Sequence, residues 1–151
     1  MTPAPDPAKP TMHAARKDDR TLVGSGSPWE PVVGYSRALR VGDRVLVAGT
    51  TAVDAAGQVV GEGDIGAQAR FIFDKIGMAL AAAGSCLADV VRTRIYVTDM
   101  SRWEAVGLAH GEVFKDVRPV STLVEVSKLI DPRLLVEIEA EAVVPRGNRE
   151  A

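Results

Sequence analysis

Residues 135–143 constrain this chain more than any other stretch. They alternate strictly: Val136, Ile138, Ala140 and Ala142 fall on one side, and Glu137, Glu139 and Glu141 on the other. A period of two over this length predicts a β-strand with one covered face. A row of carboxylates on the opposite face must meet water, a cation or a cleft. Upstream, residues 122–126 alternate more loosely, and Pro132 excludes helix from the segment between. Two strands joined by a broad loop follow. Glu137 is the first place to look for chemistry.

The rest of the composition sets outer bounds. A chain of 151 residues with 46% hydrophobic and 25% charged content fits one domain with its own core. The net charge of −2 draws it neither to nucleic acid nor to an anionic membrane, and neither is expected as a partner. No apolar run approaches the ~20 residues of a membrane span. The first residues, rich in Pro, Ala and charge, lack a hydrophobic signal region, so a cytoplasmic location is expected. Residues 1–21, including His13, read as a disordered tail because they offer almost no large apolar side chains. Residues 145–151 read as a second tail, leaving residues 22–144 as the domain. No GxGxxG or GxxxxGK[ST] phosphate cradle occurs, so no cofactor is expected. Two histidines and one cysteine, Cys86, leave a typical zinc site without ligands, so no metal is expected either.

Along the domain, the first strand is expected to begin at Val33-Gly34-Tyr35. Residues 36–41 and 44–48 flank Gly42-Asp43 as a hairpin, and a short strand follows at residues 58–60. Asp64 is a candidate N-cap for a long helix closing at Gly84, with Ile65, Ala69, Ile72, Phe73, Ile76 and Leu80 as its buried stripe. The β-branched run at residues 90–98 predicts a central strand with Arg92, Arg94 and Tyr96 on one face and Thr93, Ile95 and Val97 on the other. Ser101 and Glu104 have capping-box spacing for a second helix, whose inner face carries Trp103, Val106, His110, Val113 and Phe114. This order is α+β. Two helices cover one face of such a sheet, and the other, mixed face predicts association into a cyclic oligomer with pockets between subunits.

In that order, Val33-Gly34-Tyr35-Ser36, Val47-Ala48-Gly49, Val90-Val91-Arg92-Thr93, Val97-Thr98-Asp99-Met100, Arg118-Pro119, Val124-Glu125-Val126 and Val136-Glu137-Ile138-Glu139-Ala140 resemble the Rid family of reactive intermediate deaminases, also called YjgF-like proteins. The resemblance implies a chorismate-mutase-like mixed sheet of about six strands with two helices on one face, assembled as a homotrimer with clefts between subunits. It further implies cofactor-independent hydrolysis of a small imine or enamine, with Tyr35, Gly49 and Glu137 matching residues that order the attacking water. The family's carboxylate-binding arginine corresponds to Ser121. Leu123 stands at a position usually held by a small hydrogen-bonding residue, and Gly107 at that of an asparagine. A serine offers one neutral hydrogen bond of ~1 kcal/mol in place of charge-assisted bonds worth ~1.5–3 kcal/mol each. A standard 2-iminobutanoate deaminase is therefore not expected. In the hydrolytic reading, Ser121 and Thr122 add polar contacts, Arg94 a substitute charge and His110 a proton relay. The alternative is a trimer that binds a small molecule without turning it over.

Overall fold

The computed structural model describes residues 8–147, and its sheet is built around the alternating strand just singled out. That strand, β7 (Val136–Val143), lies between β4 (Arg44–Thr50) and β5 (Val90–Val97). With β1 (His13–Lys17), β2 (Arg20–Gly24), β3 (Ala38–Val41) and β6 (Val120–Glu125), the sheet has 7 strands in the order β1-β2-β3-β4-β7-β5-β6. All neighbours are antiparallel except β5 and β6, which run parallel because a helix carries the chain between them.

The fold is thus the mixed α+β architecture expected, with two corrections at its start. Residues 13–21 are not a tail. β1 and β2 form a hairpin through Asp18, which sits at φ 55, a conformation that aspartate tolerates. Every residue of β1 is exposed, so it has no apolar alternation to betray it; backbone pairing and the buried Val23 on β2 hold it. Residues 33–35 do not begin a strand either. Trp29–Val33 form a one-turn helix, α1, that ends at Gly34 in the left-handed conformation, φ 83. The tail assignments for residues 1–7 and 148–151 lie outside the described residues.

The long helix α2 (Ile65–Ala82) begins where Asp64 accepts a hydrogen bond from the Ala67 N–H. At its other end Gly84, φ 75, lets the Ser85 N–H reach the Leu80 carbonyl and its own N–H reach that of Ala81. This double closure satisfies two orphan carbonyls. Ile72, Phe73, Ile76 and Leu80 are buried against the sheet, each contributing about 1.5–3 kcal/mol. The second long helix, α3 (Trp103–Phe114), packs beside α2 through Val106, Ala109 and Phe114. Its start differs from the expected capping box: Asp99 accepts from the Ser101 N–H and hydroxyl ahead of it, and Trp103, 56% exposed, faces outward. The residues expected as a strand at 58–60 contribute an isolated bridge between Val53 and Val59.

Both long helices lie on one face of the sheet. The other face carries Leu46, Arg94, Tyr96, Val120, Val124 and the three glutamates of β7, and neither long helix covers it.

Candidate functional site

The residues singled out from the sequence fall into separate places on the sheet. The first gathers around β7. Glu137 pairs with Tyr96 on β5, and its side chain rises on the open face. On its other flank the β4–β7 register shifts between Val47 and Thr50, which brings Gly49 beneath the carboxyl group. A Cβ at Gly49 would collide with Glu137 Oε1, so only glycine leaves room for this side chain.

An arginine that sequence reasoning missed holds this arrangement from below. Arg37, 8% exposed, donates from Nη1 to the Gly49 carbonyl at 3.0 Å and to Thr50 Oγ1 at 3.2 Å. Thr50 passes its own proton to the Ala48 carbonyl at 2.8 Å. The guanidinium carbon lies 5.6 Å from the centre of the Tyr35 ring, a cation–π distance. Arg37 Nε is buried without a protein partner among the described residues. Tyr35, Arg37, Gly49 and Glu137 therefore form one cluster.

The electrostatics of the cluster follow from this packing. Burial pushes the Glu137 carboxyl above its usual range; the Arg37 charge pulls it back and Glu139 pushes it further up. Burial likewise lowers Arg37, and the nearby Tyr35, Glu30 and Glu137 offset that loss. A half-buried carboxyl raised towards neutrality both accepts and returns protons. Behind the cluster, Lys75 donates to the Thr51 and Val53 carbonyls at 2.9 and 2.8 Å, fixing the loop that leaves β4. Burial, with the Arg37 charge adding to it, lowers its ammonium to about 8.

A second cluster occupies the other side of the sheet, at its β6 edge. Ser121 stands opposite Thr93 in the parallel β5–β6 pair, and Thr93 Oγ1 donates to Ser121 Oγ at 2.8 Å. His110 Nε2 on α3 lies 2.9 Å from the same Thr93 oxygen. The imidazole packs against Phe73 and Phe114, with ring centroids 5.7 and 4.8 Å away, and burial lowers its pKa. Leu123, next on this face of β6, packs against the core, while Gly107 lies one helical turn before His110 with Trp103 over it.

Arg94 and Thr122 belong to neither cluster. They pair across the open face, where Arg94 Nη1 binds Glu139 at 2.9 Å and Glu141 at 3.2 Å, and the Tyr96 hydroxyl donates to Glu139 at 3.2 Å. The charge expected to substitute for the family arginine is engaged by two carboxylates of the last strand. Within one chain, then, Glu137 and Ser121 stand on opposite faces. Among the described residues no group of three or more His, Cys, Asp or Glu side chains could hold a metal, and no helix is long and apolar enough to cross a membrane.

Comparison with known proteins agrees with this fold. The family model for Endoribonuclease L-PSP matches residues 4–144. The crystal structure of Rv2704 from Mycobacterium tuberculosis, a member of the YjgF/YER057c/UK114 family, superposes with a TM-score of 0.76 at 56% identity, covering 83% of this chain and 99% of that one. An uncharacterised Streptomyces coelicolor protein, SCO2049, is 46% identical over 120 residues, 80% of this chain and 89% of the relative. The 3-aminoacrylate deaminase RutC of Acinetobacter baylyi is 32% identical over 123 residues, 82% of this chain and 96% of the relative. With the family model matched over residues 4–144 and relatives of this identity covered along most of their length, the chain belongs to the Rid/YjgF family.

Proposed function

We propose that the protein is a cofactor-independent deaminase that hydrolyses a small imine or enamine in a cleft between neighbouring subunits of a homotrimer. The observation that carries this reading is the Glu137 carboxyl: half-buried, seated on Gly49, steadied through Arg37 and raised in pKa. A water held by Glu137 attacks the imine carbon. As the C–O bond forms, the carboxylate takes one proton from the water and delivers it to the nitrogen, to which the C=N electron pair has moved, giving a neutral carbinolamine. In its collapse Glu137 takes the remaining hydroxyl proton as the carbonyl re-forms and gives it to the departing nitrogen, so the C–N bond breaks with ammonia as the leaving group. An enamine enters the same sequence after tautomerising. Tyr35 flanks the reacting group, and the Ser121 edge of the adjacent subunit supplies the facing wall.

Two things support the intersubunit placement. The open sheet face is too apolar in places, and too ordered in its Arg94–Glu139–Glu141 pairing, to read as a purely solvated surface. The two clusters also cannot meet within one chain, whereas a neighbour's edge brought to the open face unites them. The deaminase activity named for the RutC relative is of this reaction class.

The test is ammonia release from enzymatically generated 2-iminoacids and from imines without a carboxylate. Wild type is compared with Glu137→Gln and Ser121→Arg. Turnover of the carboxylate-free imine, lost in Glu137→Gln, is expected. A scaffold that binds but does not react would release no ammonia in any form. Light scattering giving about three times the chain's 16.0 kDa is expected, and a monomer would remove the cleft.

A further inference from the structure

A guanidinium can take a carboxylate side-on, with Nε and Nη2 each donating to one oxygen. Arg70 holds Glu112 in this way, at 2.8 Å from Nε and 2.7 Å from Nη2. Arg133 holds Asp131 likewise, at 3.0 and 2.7 Å. Arg94 is neutralised by Glu139 and Glu141. Arg37 differs from all three, and at 8% exposed it is far more buried than they are. Both of its hydrogen bonds leave from Nη1 and end on uncharged oxygens, the Gly49 carbonyl and Thr50 Oγ1. Arginine has no acceptor, so the direction of these bonds is fixed. Nε is buried without a partner, and Nη2 makes no hydrogen bond among the described residues. The whole Nε–Nη2 edge is therefore unpartnered.

Nor is the charge compensated by contact. Glu30 spends its carboxylate on the Ser25 N–H and hydroxyl. Glu137 acts on Arg37 through its field, but the two form no ion pair among the described residues. Buried charges in folded proteins are paired, and this one is short of an acceptor with two oxygens.

We propose that Arg37 anchors the substrate: its Nε–Nη2 edge takes the carboxylate of a small acid side-on, next to the Glu137 that carries the chemistry. Tyr35, whose ring lies over the guanidinium, is 38% exposed and swings aside to admit the ligand. Away from water, the two charge-assisted bonds are stronger than the same fork at the exposed Arg70 or Arg133. Glu137 is the carboxyl that the incoming acid would oppose, and burial holds it towards its neutral form. The inference rests on the deaminase reading and narrows its substrate to an imine that carries an acid group. An imine without one still reacts at Glu137, at a higher KM.

The experiment titrates propionate and propionamide, matched in shape and differing in charge, into the full-length protein and follows them by NMR. Wild type is expected to bind propionate at least about tenfold more tightly. Arg37→Gln keeps a donor for the Gly49 carbonyl but loses the charge and the fork. It should weaken propionate about 10–100-fold and leave propionamide within about twofold. Arg37→Lys, with the charge but no fork, should fall between. In wild type the Arg37 Nε–H signal should move downfield with propionate and stay in place with propionamide. That reading stands by itself if Arg37→Gln fails to fold.

Propionamide bound as tightly as propionate by wild type would overturn the proposal, as would no binding of either. So would propionate affinity kept in Arg37→Gln, an Nε–H signal unmoved at saturation, or an equal loss of both ligands, which marks an arginine that only supports the loop. Propionate held by Arg37, with no ammonia released from any imine by wild type, sinks the deaminase reading alone. Ammonia release lost in Glu137→Gln, with propionate indifferent to Arg37, sinks this inference alone.

Discussion

Replacing Gly49 by alanine tests the link between Glu137 and the chemistry without touching a charged group. The new methyl would occupy the space of Glu137 Oε1 and crowd Cδ at 3.1 Å and Cγ at 3.5 Å. Gly49 does not lie in the left-handed region, so alanine accepts the backbone unstrained. What must move is the far end of a flexible side chain, not the sheet. An off-rotamer Glu137 costs about 0.5–1.5 kcal/mol, which lowers the melting temperature by only ~1–6 °C in a chain of this size. The carboxylate, however, must swing aside by about an ångström, and a misplacement of that size costs roughly 100-fold in rate. Thermal melts and ammonia-release kinetics on the same preparation therefore separate. A variant with near-wild-type melting and a rate within about threefold of wild type would refute the assignment of Glu137.

The remaining predictions concern ionisation. Glu137→Gln should lower the rate by ~10²–10⁴-fold, the range for loss of a positioned acid–base group. Because the folded carboxyl sits above its usual pKa, the native state holds its proton longer than the unfolded chain, and stability falls as pH rises through that window. Urea melts should then find Glu137→Gln more stable than wild type at pH 8, with the advantage gone in acid. Lys75 runs in the opposite direction: lowered from 10.5 to about 8, it is held more tightly by the unfolded chain. Stability gained between pH 8 and 10.5 should reach about 3 kcal/mol from this group, and Lys75→Met should remove that slope in pH-dependent urea melts.

The parts of this molecule that were legible in the sequence are those with a period. The alternation of β7 gave its buried and carboxylate faces, the helical stripe gave α2, and Asp64 and Gly84 marked its ends. The β1–β2 hairpin had no such signal, since an edge strand exposed on every residue satisfies itself through backbone bonds. Arg37 was overlooked because an arginine beside Ala38 and Arg40 reads as surface. Its signal was that it shares the parity of Leu39 and Val41. The division of the site was illegible for a different reason. Alternation says which residues of one strand share a face, but the pairing registers decide that Ser121 joins Thr93 and Ala140 while Glu137 joins Tyr96. The departure at Ser121 was visible as a residue change, but its wiring to His110 required the packing of α3 on β5.

Subunit mixing tests the two-cluster site most directly. Glu137→Gln disables one half and Ser121→Trp obstructs the other, so each variant alone should be inactive. Unfolded together in equal amounts and refolded, they should regain about a quarter of wild-type activity, because that share of the seams draws an intact Glu137 from one subunit and an intact Ser121 from the next. A mixture of well-folded oligomers as inactive as its parents would mean that the two halves never meet.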